Sequence, residues 1–279
     1  MTEDIDRGLT RRTIVQGAAW TVPVIALTTS APLSAASGCV ETVTQTVAVQ
    51  GDPAQYSFTP AGGTGSYKLL VSTVVDSGTE TSQANAKYGG PFDFNMGVSG
   101  SGWNGGYADD GSQDFPFSGF GENGALTLNQ RVKGSSAPAS GAVPLQTLTF
   151  TFQDPSGATF NPTNFEITVF DISSGNVLNP APGLTGWRGS YRDAVGFSTP
   201  PTSITNGGSA LPGAGSGTLA DPYHRATADE ATPGTLDFAD TFSFASFPSG
   251  STMNYTQVGG TQGWQFISIS QIKFDVTVC

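Results

Sequence analysis

The densest run of oxygen ligands in the chain is Asp109-Asp110-Gly111-Ser112-Gln113-Asp114. Calcium takes about six to eight oxygens from carboxylate-rich loops, and Gly111 lets such a loop turn tightly. Asp109, Asp110 and Asp114 would supply the charge. The alternating spacing and closing glutamate of an EF-hand loop are missing, so a calcium loop and a solvated turn both remain open. Just upstream stand Trp103, Asn104 and Tyr107. Sugar sites combine an aromatic platform with polar groups that orient hydroxyls, and these three residues form such a ligand-binding set. The competing reading has the aromatics capping the end of a core. Trp187, Arg188, Tyr191 and Arg192 form a second group with the same two readings.

Signatures of catalysis are sparse. His224 is the only histidine, whereas a serine or cysteine nucleophile generally relies on a histidine or lysine base. No G-x-S-x-G elbow occurs. One histidine and two cysteines do not make up the usual zinc ligand sets. No catalytic residue is therefore assigned, and the chain reads as a non-enzyme. Glycoside hydrolysis by paired carboxylates stays open as a further alternative, but no motif marks the pair.

The N-terminus has the three parts of an export signal. Arg11 and Arg12, within Thr10-Arg11-Arg12-Thr13-Ile14-Val15, look like a twin-arginine motif. A short apolar stretch broken by Pro23 follows, and then the small residues Ser34-Ala35-Ala36-Ser37. The apolar run is shorter than the ~20 residues a membrane span needs. Residues 1–37 are thus expected to be a signal peptide, cleaved after Ala36 or Ser37, and the product to be secreted or held at the cell surface.

The signal carries three acids (Glu3, Asp4, Asp6) and three bases (Arg7, Arg11, Arg12), so the net charge of −11 belongs to the remainder. An acidic chain repels phosphate backbones, which argues against nucleic acid and against anionic membrane surfaces. It suits calcium or neutral sugars.

Cys39 and Cys279 are the only cysteines. Outside the cell an even pair suggests a disulfide. The alternative is a lipid anchor at Cys39, since Ala36-Ser37-Gly38-Cys39 has the outline of a lipobox with an unusual leading residue. Glycans or cell-wall components are the expected partners, and calcium is the one cofactor considered.

The elements that must position these groups are strands. The chain has 37 glycines and 18 phenylalanines but few strong helix formers, which fits short strands joined by glycine-rich turns. Period-two alternation, the mark of half-buried strands, marks residues 43–49, 67–75, 125–130, 145–152, 165–170, 237–247 and 265–278. In the first run Val43, Val47 and Val49 would share a face. Long stretches rich in Gly, Pro and Ser, 97–123 and 198–235, read as loops. These features predict one domain over 38–279, an all-β antiparallel two-sheet sandwich of the jelly-roll kind, with its first and last strands adjacent.

The phrasing of Leu126-Thr-Leu128, Leu148-Thr-Phe150-Thr-Phe152, Ile167-Thr-Val169-Phe170-Asp171 and Ile267-Ser-Ile269-Ser-Gln271-Ile272 resembles lectin-like sandwich domains in bacterial surface proteins and fibrillar adhesins. The leader resembles that of actinobacterial proteins exported by the twin-arginine route. Where such domains carry an acidic pair after a core strand, this chain has Asp171, then Ser173 and Ser174, with Asp193 further on. The resemblance implies an adhesive or structural role. A calcium-assisted carbohydrate-binding module is the alternative.

Overall fold

The computed structural model describes residues 39–46, 48–49, 53–81, 94–97, 104–106, 114–116, 125–132, 143–176, 190–208, 210–227, 238–259 and 265–278. Among them every regular element is a strand. The first sheet holds β1 (Val40–Gln45), β4 (Thr79–Glu80), β5 (Phe94–Gly97), β8 (Ala125–Val132), β10 (Thr163–Phe170), β13 (Ser203–Asn206), β16 (Ala239–Ser246) and β18 (Gln265–Thr277). The second holds β2 (Ala54–Phe58), β3 (Tyr67–Val75), β9 (Gln146–Gln153), β11 (Ser174–Asn176), β12 (Ser190–Phe197), β14 (Gly213–Ala214), β15 (Tyr223–Arg225) and β17 (Thr252–Gln257). A separate ribbon pairs β6 (Asn104–Gly106) with β7 (Asp114–Pro116).

All named strand pairs are antiparallel, and the two sheets face each other across one core. From β8 onward the chain shuttles between sheets: β8 first, β9 second, β10 first, β11 and β12 second, β13 first, β14 and β15 second. It then passes through β16, β17 and β18 in the same alternation.

Side chains on a strand alternate between faces, and β9 shows the result plainly. Leu148, Phe150 and Phe152 are buried, while Thr147, Thr149 and Thr151 point to the other face. Phe152 meets Phe165 of β10 and Phe274 of β18, each at 5.4 Å between ring centroids and near-perpendicular. Phe58 and Phe274 close the same layer at 4.6 Å. Edge-to-face packing of this kind adds about 0.5–1.5 kcal/mol per pair beyond area burial.

The long strand β18 sits at the centre of the first sheet. β10 lies along one edge; β8 takes residues 265–269 of the other edge and β1 takes 272–277. Ile267 and Ile269 face the core, and so do Ile272, Phe274 and Val276. A strict period of two cannot do both. Gln271, at φ 51°, supplies the extra residue of a bulge that resets the phase. Asn164, at φ 49°, makes the compensating shift in β10.

The first and last strands are adjacent as expected, Val40 facing Thr277 and Gln45 facing Ile272. The expected valine face of 43–49 does not hold. Val43 is buried, but β1 stops at Gln45, where the chain leaves β18; Ala48 turns into the core and Val49 is 65 % exposed. Val47 lies outside the described residues. The stretch 198–235, expected as a loop, contributes β13, β14 and β15.

Candidate functional site

Five buried polar side chains gather inside the sandwich, at the end where β8 finishes and β18 begins. Each occupies the inward phase of a strand whose other inward residues are apolar. Asp193 precedes Val195 and Phe197 on β12, Gln257 follows Met253 and Tyr255 on β17, Gln130 follows Leu126 and Leu128 on β8, and Gln265 precedes Ile267 and Ile269 on β18. All are buried.

Within the second sheet Asp193 faces Gln257 in register. Across the core, Nε2 of Gln265 donates to Oε1 of Gln257 at 2.7 Å. Gln265 faces Gln130 in the first sheet. Nε2 of Gln130 reaches back to the carbonyl oxygen of Tyr255 at 3.2 Å. The Tyr255 hydroxyl then donates to Oδ1 of Asp193 at 3.0 Å. The hydrogen bonds from Gln265 to Gln257 and from Gln130 to Tyr255 cross between the sheets, whereas Asp193 and Gln257, and likewise Gln130 and Gln265, are neighbours by register.

Asp193 is 1 % exposed. Burial pushes its carboxyl up to about 8, against the opposing pull of hydrogen bonds from Tyr255 and Ser173. At neutral pH it is therefore a carboxylic acid. Its other oxygen lies 3.4 Å from the Ser173 hydroxyl, and its amide donates to the Ser173 carbonyl at 2.9 Å. Asp171, at φ 64°, turns the chain out of β10, and Ser173 and Ser174 carry it across to pair with β12. Of the four residues singled out by resemblance, Ser173 and Asp193 are thereby brought into contact, and Ser174 faces Arg192 beside Asp193. The glutamines escaped notice as site residues, although each one breaks an apolar alternation.

In comparisons with known proteins, no family model, no curated protein and no solved structure matches the chain.

A second buried polar group lies at the lateral edge. Arg225 of β15 and Asp240 of β16 form an ion pair between the sheets, both side chains fully buried. The Arg225 guanidinium also donates to the Tyr223 hydroxyl and the Leu211 carbonyl, each at 3.0 Å, and stands 4.9 Å over the Phe238 ring. Asn206 of β13 donates to the Tyr223 hydroxyl at 2.7 Å. Burial and the Asp240 carboxylate hold the Tyr223 hydroxyl up at about 12.

Of the residues expected from sequence to bind ligand, Asn104 and Asp114 fall on the β6–β7 ribbon, where Asn104 faces Pro116 and Gly106 faces Asp114. Trp103, Tyr107, Asp109 and Asp110 lie outside the described residues, as do Arg11, Arg12, Trp187, Arg188 and Cys279. Tyr191 and Arg192 are on β12, facing Gly175 and Ser174. His224 is on a strand rather than in a turn; it is half-buried, with Nδ1 2.8 Å from the Pro222 carbonyl. Among the described residues no three of His, Cys, Asp and Glu converge as metal ligands.

Proposed function

We propose that this chain is an exported protein of the cell exterior with an adhesive or structural, non-catalytic role. The observation that supports it is the outer face of the second sheet. Ser72, Thr149 and Thr252 stand side by side on β3, β9 and β17, and Val74, Thr147 and Asn254 form the next rank. Gln55, Ser57, Thr151, Gln153 and Thr256 extend the surface, and among the described residues its charged members are Lys68 and, on β12, Arg192. A face on which the described strands carry no carboxylate, in a chain of net charge −11, suits a neutral, hydroxyl-rich surface such as a polysaccharide. Donors and acceptors there match such a partner without desolvating charge.

The twin-arginine leader would deliver the domain, and a Cys39–Cys279 bridge would close it. The register supports that bridge, since the Val278 amide donates to the Cys39 carbonyl. Replacing Arg11 and Arg12 together by lysine should abolish export. Binding is tested by co-sedimentation of the exported chain with insoluble neutral polysaccharides. A Thr147→Lys, Thr149→Lys double variant should lose binding at unchanged melting temperature. Failure of the unaltered chain to bind any polysaccharide or cell-wall preparation would sink the adhesive reading.

A second reading, a calcium-assisted carbohydrate module, is favoured by one observation: Asn104 and Asp114 share a two-stranded ribbon. It requires glycan binding that a chelator abolishes.

A further inference from the structure

Proline follows aspartate at Asp52-Pro53, Asp154-Pro155 and Asp221-Pro222. Proline has no amide proton, so its nitrogen cannot attack the aspartate side chain, and the usual succinimide rearrangement is closed. Attack by the aspartate carboxylate on its own main-chain carbonyl stays open, with the proline nitrogen as leaving group. Asp52 lies outside the described residues; the other two bonds are held very differently.

The loop 215–221 is stitched to β12. The Phe197 amide donates to the Gly217 carbonyl at 2.8 Å, and the Leu219 amide donates to the Phe197 carbonyl at 3.1 Å. Thr218, fixed between these anchors, donates its amide to the Asp221 carbonyl oxygen at 3.2 Å. The Ser216 hydroxyl lies 3.4 Å from the same oxygen and 3.1 Å from the Thr218 hydroxyl. In return the Asp221 amide donates to the carbonyl and the hydroxyl of Thr218, both at 3.2 Å. The Ser216 amide holds one carboxylate oxygen of Asp221, Oδ2, at 2.7 Å. Gly215, at φ 86°, permits this close fit, since a Cβ there would stand 2.2 Å from the Pro222 carbonyl oxygen. Asp221 is exposed to water.

At Asp154 the donors favour the carboxylate instead. Its Oδ1 accepts from the Ser156 hydroxyl at 2.6 Å and from the Ser156 and Ala158 amides at 2.8 and 3.0 Å. The Ser156 hydroxyl foremost holds this carboxyl below the usual range, which makes it a poorer nucleophile. Among the described residues its carbonyl oxygen has one donor, the Gly157 amide.

The geometry points to Asp221-Pro222 as a self-cleaving peptide bond, hydrolysed once per chain by the Asp221 carboxylate with Thr218 and Ser216 as oxyanion donors. Oδ1 attacks the Asp221 carbonyl carbon, and negative charge develops on the oxygen that both donors already face. Such hydrogen bonds are long at rest and tighten as charge develops. The C–N bond then breaks, its electron pair passes to the Pro222 nitrogen, and that nitrogen takes a proton from water. A cyclic anhydride is left at Asp221 and a free secondary amine at Pro222. Water opens the anhydride to a pair of carboxyl groups, so the net change is one water consumed. The pieces stay docked, because β15 pairs with β12 and carries Arg225 to Asp240.

The test is incubation of the full chain, folded and in urea, at about pH 4, about pH 5.5 and about pH 7, read by mass and N-terminal sequencing. The nucleophile must be ionised while the leaving nitrogen gains a proton, so cleavage should be faster in mild acid than at neutrality. The folded chain should gain an N-terminus at Pro222 at least about tenfold faster than at Pro53 or Pro155, and urea should erase that preference. Asp221→Asn should abolish the fragment. Ser216→Ala should slow it by about threefold or more and leave the Pro155 rate unchanged. In water labelled with heavy oxygen, the label should be shared between the side-chain and main-chain carboxyls of Asp221. A chain that stays intact throughout, or that breaks at all three bonds equally when folded, overturns the proposal. Label confined to the main-chain carboxyl overturns it too, because water would then have attacked directly.

Discussion

The main-chain amide of Val278 donates to the carbonyl oxygen of Cys39 at 2.7 Å. This bond extends the β1–β18 ladder by one step and sets the first cysteine beside the residue that precedes the second. A disulfide there would close almost the whole domain into one loop, for which chain entropy gives a stabilisation of about 5 kcal/mol at most. Two measurements follow. Alkylation of the exported chain should label neither cysteine before reduction and both after. Cys39→Ser should lower the melting temperature as much as reductant does. Free thiols in the unreduced chain would count against the bridge, and a lipid-modified N-terminus at Cys39 would replace it.

Asp193 makes stability depend on pH in an unusual direction. Its carboxyl is raised from 3.8 to about 8 in the folded chain, so the folded state holds a proton that the unfolded state has lost. The resulting stability is fully present below pH ~4 and disappears as pH climbs through ~8, with a slope approaching ~1.4 kcal/mol per unit in between. Urea titrations across this range in choline buffers should show the decline. Asp193→Asn should flatten it, and an unchanged slope in that variant would show that Asp193 ionises normally.

Arg225 and Asp240 illustrate the difference between breaking a buried pair and replacing it. Asp240→Asn leaves the guanidinium without a counter-charge in a fully buried place and should destabilise by about 3–5 kcal/mol. The double change Arg225→Met, Asp240→Leu should recover most of that loss, read as the urea midpoint at constant slope. Additive losses in the double variant would mean that Tyr223 and Asn206 depend on the pair for their own positions.

Gln271 occupies left-handed backbone space, where a side chain is disfavoured by about 1–2 kcal/mol. Gln271→Gly should be neutral or mildly stabilising, and Gln271→Val should destabilise by more than about 1 kcal/mol. Equal stability of the two variants would show that the bulge is not fixed by this residue.

Much of the sandwich was legible because apolar alternation is a direct image of one buried face. The runs at 67–75, 145–152 and 165–170 lie within one or two residues of β3, β9 and β10. β12 was not, because Asp193 and Gly196 interrupt Val195 and Phe197. β2 and β17 alternate cleanly, through Tyr56 and Phe58 and through Met253 and Tyr255. They are short and mixed with Ser, Thr and Gln, which also compose the turns here. The buried polar group around Asp193 was hidden for a related reason. Glutamine at the end of a strand reads as a solvent-facing terminus, and only the paired strands show that Gln265 bonds Gln257 and stands beside Gln130.

The central position of β18 has a consequence for biosynthesis. The strand that fills the middle of the first sheet is translated after β1, β8 and β10, all of which pair with it. A nascent chain on the ribosome therefore carries three edges with no template to join, and its most distant pairings form only after synthesis has passed Gln265. Such a polypeptide would fold slowly, its first sheet completed only once β18 has emerged.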